Sequence, residues 1–357
     1  MLLLVLTACR PAPSICEGTG PPDSEAHAVI DAFWSTLDRR YATFELRLPA
    51  PTETAWAAIG DEACRAVSAD PSEEGVFDAL VGMARALDDG HVQIQLGDRE
   101  ADGQASPWPH EDVADTLVQV AEDGYLEGVV RRRLDDGFVW GTIPAEPAPI
   151  GYVAITRLDD LDPSGSASLD TARAAEAMDA VLSDVSRTSG LIVDVRANGG
   201  GWDDVSLALA ERFAGSAHVA WSKSHRNGPD HDDLTDYREI RVGNAVRDAY
   251  EGPVMLLTSR GTFSAAETFV LAMRVRDHVT VIGERTSGHF SDLYEGELPN
   301  GGSFTYSGDR YLASDGQVYE GSGAPVDLEI PFDPVAVAAG RDPQLEAAIA
   351  QISMRSE

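Results

Sequence analysis

The chain has 357 residues, of which 43% are hydrophobic and 24% charged. That apolar content supplies a sizeable core, and the length suits two lobes. Lysine and arginine number 27 against 60 aspartates and glutamates, giving a net charge of −33. This excludes a nucleic-acid binder, because phosphate recognition needs a basic surface; acidity on this scale favours solubility and selects no substrate.

At the N-terminus an apolar run, Leu2 to Leu6, is followed by Thr7-Ala8-Cys9. The run is too short to span a membrane, and no basic residue precedes it as in an ordinary signal. Leu6-Thr7-Ala8-Cys9 resembles a bacterial lipobox, in which the cysteine is lipidated and everything before it is removed. The expectation is a lipoprotein of the cell envelope, periplasmic or on the outer surface, attached to a membrane through Cys9. A cytoplasmic N-terminus is the alternative. Residues 1–24 then read as signal and tether, the latter rich in Pro and Gly. With Cys9 acylated, Cys16 and Cys64 remain. An even pair suits a disulfide in an oxidising compartment, although the sequence does not bring the two together.

Residues 25–97 read as a helical lobe. Ile30, Phe33, Leu37 and Tyr41 keep helical spacing, as do Val76, Leu80, Met83 and Leu87, with a Pro-rich turn from Leu48 to Thr52 between them. Gly90 is expected to turn the chain into an alternating strand, Val92, Ile94, Leu96. Residues 98–149 form a small strand-containing region, with a hairpin at Asp135-Asp136-Gly137 and a linker from Pro144 to Pro149. From 150 to 335 strand and helix patterns alternate: strand 150–157, helix 169–187, strand 191–196, helix 203–214, strand 254–258, helix 265–276 and strand 279–283. That is an α/β core. Residues 336–357 close the chain as a C-terminal helix. His225, Asp230, His231, Asp232 and Asp233 cluster without a ligand spacing, so the expectation there is a solvated hairpin tip and no metal.

Two segments carry chemistry. Thr262-Phe263-Ser264-Ala265-Ala266-Glu267 sits between a buried-strand pattern and a helical one. A serine at such a turn stands before a helix N-terminus, whose N–H groups and dipole suit a developing oxyanion. The second segment, Asp194-Val195-Arg196-Ala197-Asn198-Gly199-Gly200-Gly201, ends an apolar run in three glycines, which allow backbone N–H groups to approach a ligand. It has neither the Gly-Lys-Ser/Thr ending of a phosphate loop nor a Gly-x-Gly-x-x-Gly pattern.

Together these segments resemble the serine peptidases of the tail-specific, C-terminal-processing and tricorn-core superfamily. Asp194, Arg196, Asn198, Gly200 and Gly201 match Asp-x-Arg-x-Asn-x-Gly-Gly. Ser264, Ala265 and Glu267 match Ser-Ala-x-Glu, and Ile282, Gly283, Thr286 and Gly288 match Ile-Gly-x-x-Thr-x-Gly. The resemblance covers residues 25 to 335 and implies a crotonase-like, Clp-protease-like ββα core. It identifies Ser264 as nucleophile, with Ala265 and Gly200 or Gly201 supplying an oxyanion hole. Tail-specific members carry a base lysine twenty-five residues after the serine, where this chain has His289. Tricorn-like members use a histidine from an earlier segment and a later glutamate. Asp89-Gly90-His91-Val92 resembles their Asp-Gly-His-Thr junction, and Glu320-Gly321-Ser322-Gly323 their Glu-Asn-x-Gly, with Gly321 in place of the asparagine. The tricorn-like arrangement implies His91 as general base and Glu320 as its support, with His289 the alternative base.

A serine hydroxyl attacks well only when a base accepts its proton, and imidazole does so near neutrality. The expected function is therefore peptide-bond hydrolysis through an acyl-enzyme, on a peptide or protein substrate, with no cofactor. A non-peptide serine hydrolase and a non-catalytic ligand-binding protein on the same fold are the alternatives. Only about sixty residues separate His91 from Gly151, too few for a PDZ domain beside the hairpin and linker, so none is expected.

Overall fold

The computed structural model describes residues 14–17, 24–104, 108–110, 112, 116–243 and 249–355. Cys9 lies outside the described residues. The chain divides into two compact units, one drawn from Met1–Ser106, His225–Thr235 and Asp292–Asp309, the other from Pro107–Ser224, Asp236–Ser291 and Arg310–Glu357.

The first unit is a helical lobe on a small sheet. Its helices are Glu25–Arg40 (α1), Phe44–Arg47 (α2), Thr52–Ala69 (α3) and Glu73–Leu87 (α4). Ser24 and Ser72 start α1 and α4 as ordinary N-caps, accepting from the N–H groups of His27 and Gly75 at 3.1 and 3.2 Å. Val29, Ile30, Phe33 and Leu37 of α1 pack with Trp56, Leu80, Met83 and Leu87 in one core. Helix α4 stops at Asp88, which takes a left-handed conformation at φ 47°. The turn expected at Gly90 is thus made two residues earlier, by a side chain type that tolerates that region. Two strands follow, Gln93–Leu96 (β1) and Arg99–Asp102 (β2). Cys16 and Cys64 are joined by a disulfide.

The sheet of this unit is completed from far along the chain, by Leu293–Glu297 (β11) and Ser303–Ser307 (β12), in the order β11–β12–β1–β2. Residues 225–235 also belong here; His225, Asp230 and Asp232 are exposed, as expected of a solvated tip, and the expectation is corrected at His231 alone. His231 is 1% exposed. Its ring stacks on Phe44 at 3.9 Å, with Nδ1 2.9 Å from Thr52 Oγ1 and Nε2 3.2 Å from Asp38 Oδ1. Arg226 donates to the carbonyls of Tyr41 and Asp38 at 3.1 and 3.2 Å.

The second unit is built on a seven-stranded sheet, ordered β14–β10–β9–β6–β5–β4–β3. Helix Leu117–Gly124 (α5) leads into the hairpin of Glu127–Arg133 (β3) and Phe138–Ile143 (β4), turned through 134–137. Next come Ile150–Ile155 (β5), Ala167–Asp184 (α6), Leu191–Asp194 (β6) and Asp203–Glu211 (α7). After His218–His225 (β7) and Arg238–Val242 (β8) follow Val254–Thr258 (β9), Ala265–Arg274 (α8) and Val279–Gly283 (β10). Strand Asp309–Ala313 (β13) makes a separate three-stranded sheet with β7 and β8. Leu328–Glu329 (β14), Pro334–Ala338 (α9) and Pro343–Arg355 (α10) end the chain.

Strands β5, β6, β9, β10 and β14 run parallel. A parallel sheet is covered on both faces, so its strands read as continuous apolar runs. On one face Val193, Leu256 and Val281 pack under α6, α7 and α8. On the other, Ile192, Met255, Leu257 and Ile282 meet Leu345, Ala348 and Ile352 of α10.

The expected segmentation into 25–97, 98–149 and 150–335 needs correcting on these grounds. Strand β2 pairs with β1 in the first unit, whereas β3 and β4 extend the large sheet. Residues 292–309, expected in the core, supply two strands to the first unit. Strand edges seek partners regardless of chain order, and composition does not register that pairing.

Candidate active site

The turn between β9 and α8 is fixed by hydrogen bonds to the loop after β6. Ser259 Oγ donates to the Arg196 carbonyl at 2.6 Å, Thr262 Oγ1 to the Val195 carbonyl at 2.9 Å, and the Phe263 N–H to the Asn198 carbonyl at 3.0 Å. At the end of this turn Ser264 stands at φ 55°, ψ −126°. Ordinary caps do not look like this: Ser24 has φ −73°, ψ 136°, and Ser72 φ −64°, ψ 160°. A non-glycine residue held there costs roughly 1–3 kcal/mol, and such strain gathers at functional positions. Ser264 is half-buried. Ala265 opens α8, so its N–H has no intrahelical acceptor and lies at the positive end of the helix dipole.

The glycine loop lies against this serine. Gly200 has φ 102°, and a Cβ there would fall 2.7 Å from Ser264 Cβ and 3.0 Å from the Ala265 nitrogen. Gly201 has φ 136°, and a Cβ there would fall 2.5 Å from the Asp159 nitrogen. Both positions therefore exclude side chains. Asn198, fully buried, holds the loop: its Nδ2 donates to the Ile155 carbonyl at 2.9 Å, and its Oδ1 accepts the Gly200 N–H at 2.8 Å. Gly200 was expected as a possible oxyanion donor, but its amide is already directed to Asn198. That narrows the pair of candidate donors to Ala265 and Gly201.

Glu267, noted in the sequence only as part of a motif, is the hub of the site. It is fully buried. One carboxylate oxygen accepts from Thr286 Oγ1 at 2.5 Å and the Gly288 N–H at 2.7 Å. The other accepts from the N–H groups of His289, at 2.7 Å, and Ser264, at 3.2 Å. One side chain thus ties the nucleophile's backbone to the Thr286–His289 loop. Burial pushes its carboxyl up to about 8, against the pull of the bonds from Thr286, Gly288 and His289. The Ser-x-x-Glu spacing of a capping box was the sequence signal for this residue.

His289, 3% exposed, stacks on Phe263 at 4.7 Å, and its Nδ1 lies 2.9 Å from Ser287 Oγ. Glu320, 4% exposed, accepts the Phe290 N–H at 2.9 Å. The Gly321 N–H donates to the Gly288 carbonyl at 2.8 Å, so the Glu320 segment lies along the same loop. Ser264, Ala265, Gly200, Gly201, His289 and Glu320 all belong to the second unit.

His91 belongs to the first unit and is 1% exposed. Its N–H donates to Asp89 Oδ1 at 2.9 Å, and its carbonyl accepts from Thr305 Oγ1 at 2.7 Å. Asp89 Oδ2 accepts in turn from Tyr41 and Ser307 hydroxyls at 2.8 and 2.7 Å. Burial lowers the imidazole's pKa below its ordinary value of 6.5, opposed by the charge of Asp89. The ring is therefore neutral near pH 7, the form a base requires.

Asp194 and Arg196 serve the scaffold. The Arg196 guanidinium, fully buried, donates to Asp194, to both oxygens of Asp342 at 2.8 and 2.7 Å, and to Gln344 at 3.0 Å. Among the described residues, Asp230, Asp232 and Asp233 gather carboxylates on the surface, and Asp233 accepts the Asp230 N–H.

Similarity to known proteins accords with this geometry. The model of peptidase family S41 matches residues 149–330, just over half of the chain. The chain is 31% identical over 167 residues to "Tricorn protease homolog 1" of Streptomyces coelicolor, a match covering 45% of this chain and 14% of that protein. It is 28% identical over 143 residues to the "Probable CtpA-like serine protease" of Staphylococcus epidermidis, covering 39% of this chain and 27% of the relative. The matches thus span well under half the length of either relative. A solved structure from Parabacteroides merdae aligns with a TM-score of 0.77 and 26% identity, over 92% of this chain and 97% of that one. With the strained serine, the glycine loop and the α/β sheet that carries both, these matches place the chain in a single group: it belongs to peptidase family S41.

Proposed function

We propose that the protein is a serine peptidase acting on peptide or protein substrates through an acyl-enzyme. Ser264 Oγ attacks the scissile carbonyl carbon while His91 takes its proton. Collapse of the tetrahedral intermediate breaks the C–N bond as His91 returns the proton to the leaving amine. Water, activated by the same imidazole, then hydrolyses the ester. The N–H groups of Ala265 and Gly201 stabilise the oxyanion, and Glu320 supports the base. None of these steps calls for a metal or organic cofactor. The observation that carries the reading is the backbone of Ser264, strained at a strand-to-helix turn against a side-chain-free loop.

A fluorophosphonate probe tests it. Wild-type protein labels at Ser264, and Ser264→Ala loses the label while its circular dichroism is unchanged. Labelling of that variant at wild-type stoichiometry would assign the nucleophile elsewhere.

A second base reading is favoured by one observation: the backbone N–H groups of His289 and Ser264 donate to the same oxygen of Glu267, which ties the two residues' main chains together. In that reading His289 takes the role of the tail-specific lysine. An envelope location through lipidated Cys9 is supported by the Cys16–Cys64 disulfide, a feature of oxidising compartments. Mass spectrometry of protein from its native source should show a mature chain starting at a modified Cys9; an unmodified Met1 terminus overturns that location. Among the described residues no helix is long and apolar enough to cross a membrane.

A further inference from the structure

Trp202 follows Gly201 directly and is 43% exposed. The ring is nonetheless fixed. Its Nε1 donates to Asp170 Oδ2 at 3.1 Å, and the fully buried Asp170 accepts the Asp162 N–H on its other oxygen at 2.6 Å. The Trp202 N–H donates to the Leu158 carbonyl at 3.1 Å. An indole anchored at both backbone and ring nitrogen, yet open to solvent, is a preorganised contact surface.

Its neighbours are acidic. Gly201 packs on the backbone of Leu158 and Asp159, which brings Asp159 and Asp160 beside Trp202. Asp159 is half-buried and Asp160 exposed. Burial, and then the charges of Asp160 and Asp170, raise the Asp159 pKa. Arg157 offsets this only in part, and its guanidinium donates to the carbonyls of Leu134 and Asp135 at 3.2 and 3.1 Å. An incoming cation would relieve the mutual repulsion of these carboxylates and stack on the indole face. An apolar side chain would gain the stacking alone.

The place is close to the chemistry. Trp202 is two residues from Gly200, a chain distance of at most ~7 Å, and Gly200 abuts Ser264. A peptide held extended over Ser264, at ~3.3 Å per residue, would bring a side chain one to three positions from the scissile bond to the indole.

We infer that Trp202 and Asp159 form a substrate subsite for a basic side chain, lysine or arginine, beside the nucleophile. This rests on the peptidase reading above and adds a substrate class to it.

The test uses fluorogenic peptides that differ at one position, arginine against the uncharged isostere citrulline, scanned through three positions on each side of the bond. At one of them kcat/KM for arginine should exceed that for citrulline about ten-fold, and Trp202→Ala and Asp159→Asn should each remove most of that preference, costing the arginine peptide more than the citrulline peptide. Trp202→Phe should retain part of it. The same contrast should appear as protection of Ser264 from the fluorophosphonate, a readout independent of turnover. Both changed residues keep solvent contact, and unprotected labelling of the variants at the wild-type rate shows that the nucleophile is intact. Equal handling of arginine and citrulline at every position overturns the subsite, as does an equal loss for both peptides in the variants. Loss of labelling in the wild type would overturn the nucleophile instead.

Discussion

Replacing Gly200 by alanine adds one methyl group at the point where the glycine loop meets the nucleophile. That methyl would lie 2.7 Å from Ser264 Cβ, 2.9 Å from the Phe263 carbonyl oxygen and 3.0 Å from the Ala265 nitrogen. Carbon atoms rest ~3.5–4.0 Å apart, so Ser264 or the loop must move by roughly 1 Å. A displacement of about 1 Å in a positioned reacting group costs on the order of 10²-fold in rate. The backbone adds its own penalty, since φ is 102°; holding an L-residue there costs roughly 1–3 kcal/mol of stability. The expected result is a folded protein with a lowered denaturation midpoint and kcat down about 10²-fold. Gly199→Ala is the matched control, because a Cβ there meets nothing within 4 Å. Its activity should stay within about two-fold of wild type, as for a surface change of under ~0.5 kcal/mol. Steady-state cleavage of one peptide, with urea unfolding of the same preparations, decides the matter. A Gly200→Ala enzyme as active as the Gly199→Ala control would refute the close approach of the loop to Ser264.

Four further outcomes follow from the site and its supports. His91→Ala should lower kcat by roughly 10²–10⁴ and His289→Ala far less; the reverse order would make His289 the base. Because burial lowers the His91 pKa, the acid limb of the kcat/KM profile should lie below pH 6.5, and a limb above that value contradicts the assignment. Glu267 is raised from 4.5 to about 8, so between those values the folded chain binds more protons than the unfolded one. Its contribution to stability is therefore complete below pH 4.5 and is lost as pH rises through about 8. The stability difference between wild type and Glu267→Gln should drift by up to ~1.4 kcal/mol per pH unit in that window, and a pH-independent difference rejects the shift. Finally, the disulfide closes a separation of 48 residues, so the Cys16→Ser, Cys64→Ser double variant should lose roughly 2–4 kcal/mol in urea unfolding; an unchanged midpoint would show that the bridge contributes nothing.

Strands β6, β9 and β10 were legible because a sheet covered on both faces imposes unbroken apolar runs such as Val254 to Leu257. Strand β3 was legible only through the turn at Asp135-Asp136-Gly137 that ends it, and β8 and β11 were not legible at all. Both are mostly exposed and mix charged with apolar residues, as in Arg238–Val242 and Leu293–Glu297, so neither alternation nor apolar content marks them. His231 misled for a related reason. Its neighbours in sequence are acidic and solvated, while the groups that bury it, Phe44 and Thr52, lie just over half the chain away. In the site, Ser264 and the glycines stood out through residue type and order. The roles of Glu267 and Asn198 did not, because a buried acceptor is defined by the donors converging on it, and Thr286, Gly288 and His289 come from another loop.

The last helix is wired to the chemistry through Arg196. The guanidinium two residues before Asn198 is gripped by Asp342 and Gln344, at the start of α10. Were a processing event to clip the chain ahead of Asp342, a buried cation would be stranded in the turn after β6 that leads into the glycine loop, with Asp194 as its remaining counter-charge. Breaking a buried pair in this way costs ~3–5 kcal/mol. The C-terminal segment therefore supports the glycine loop from beneath, and trimming it would remove that charge pairing together with the Leu345, Ala348 and Ile352 cover of the sheet.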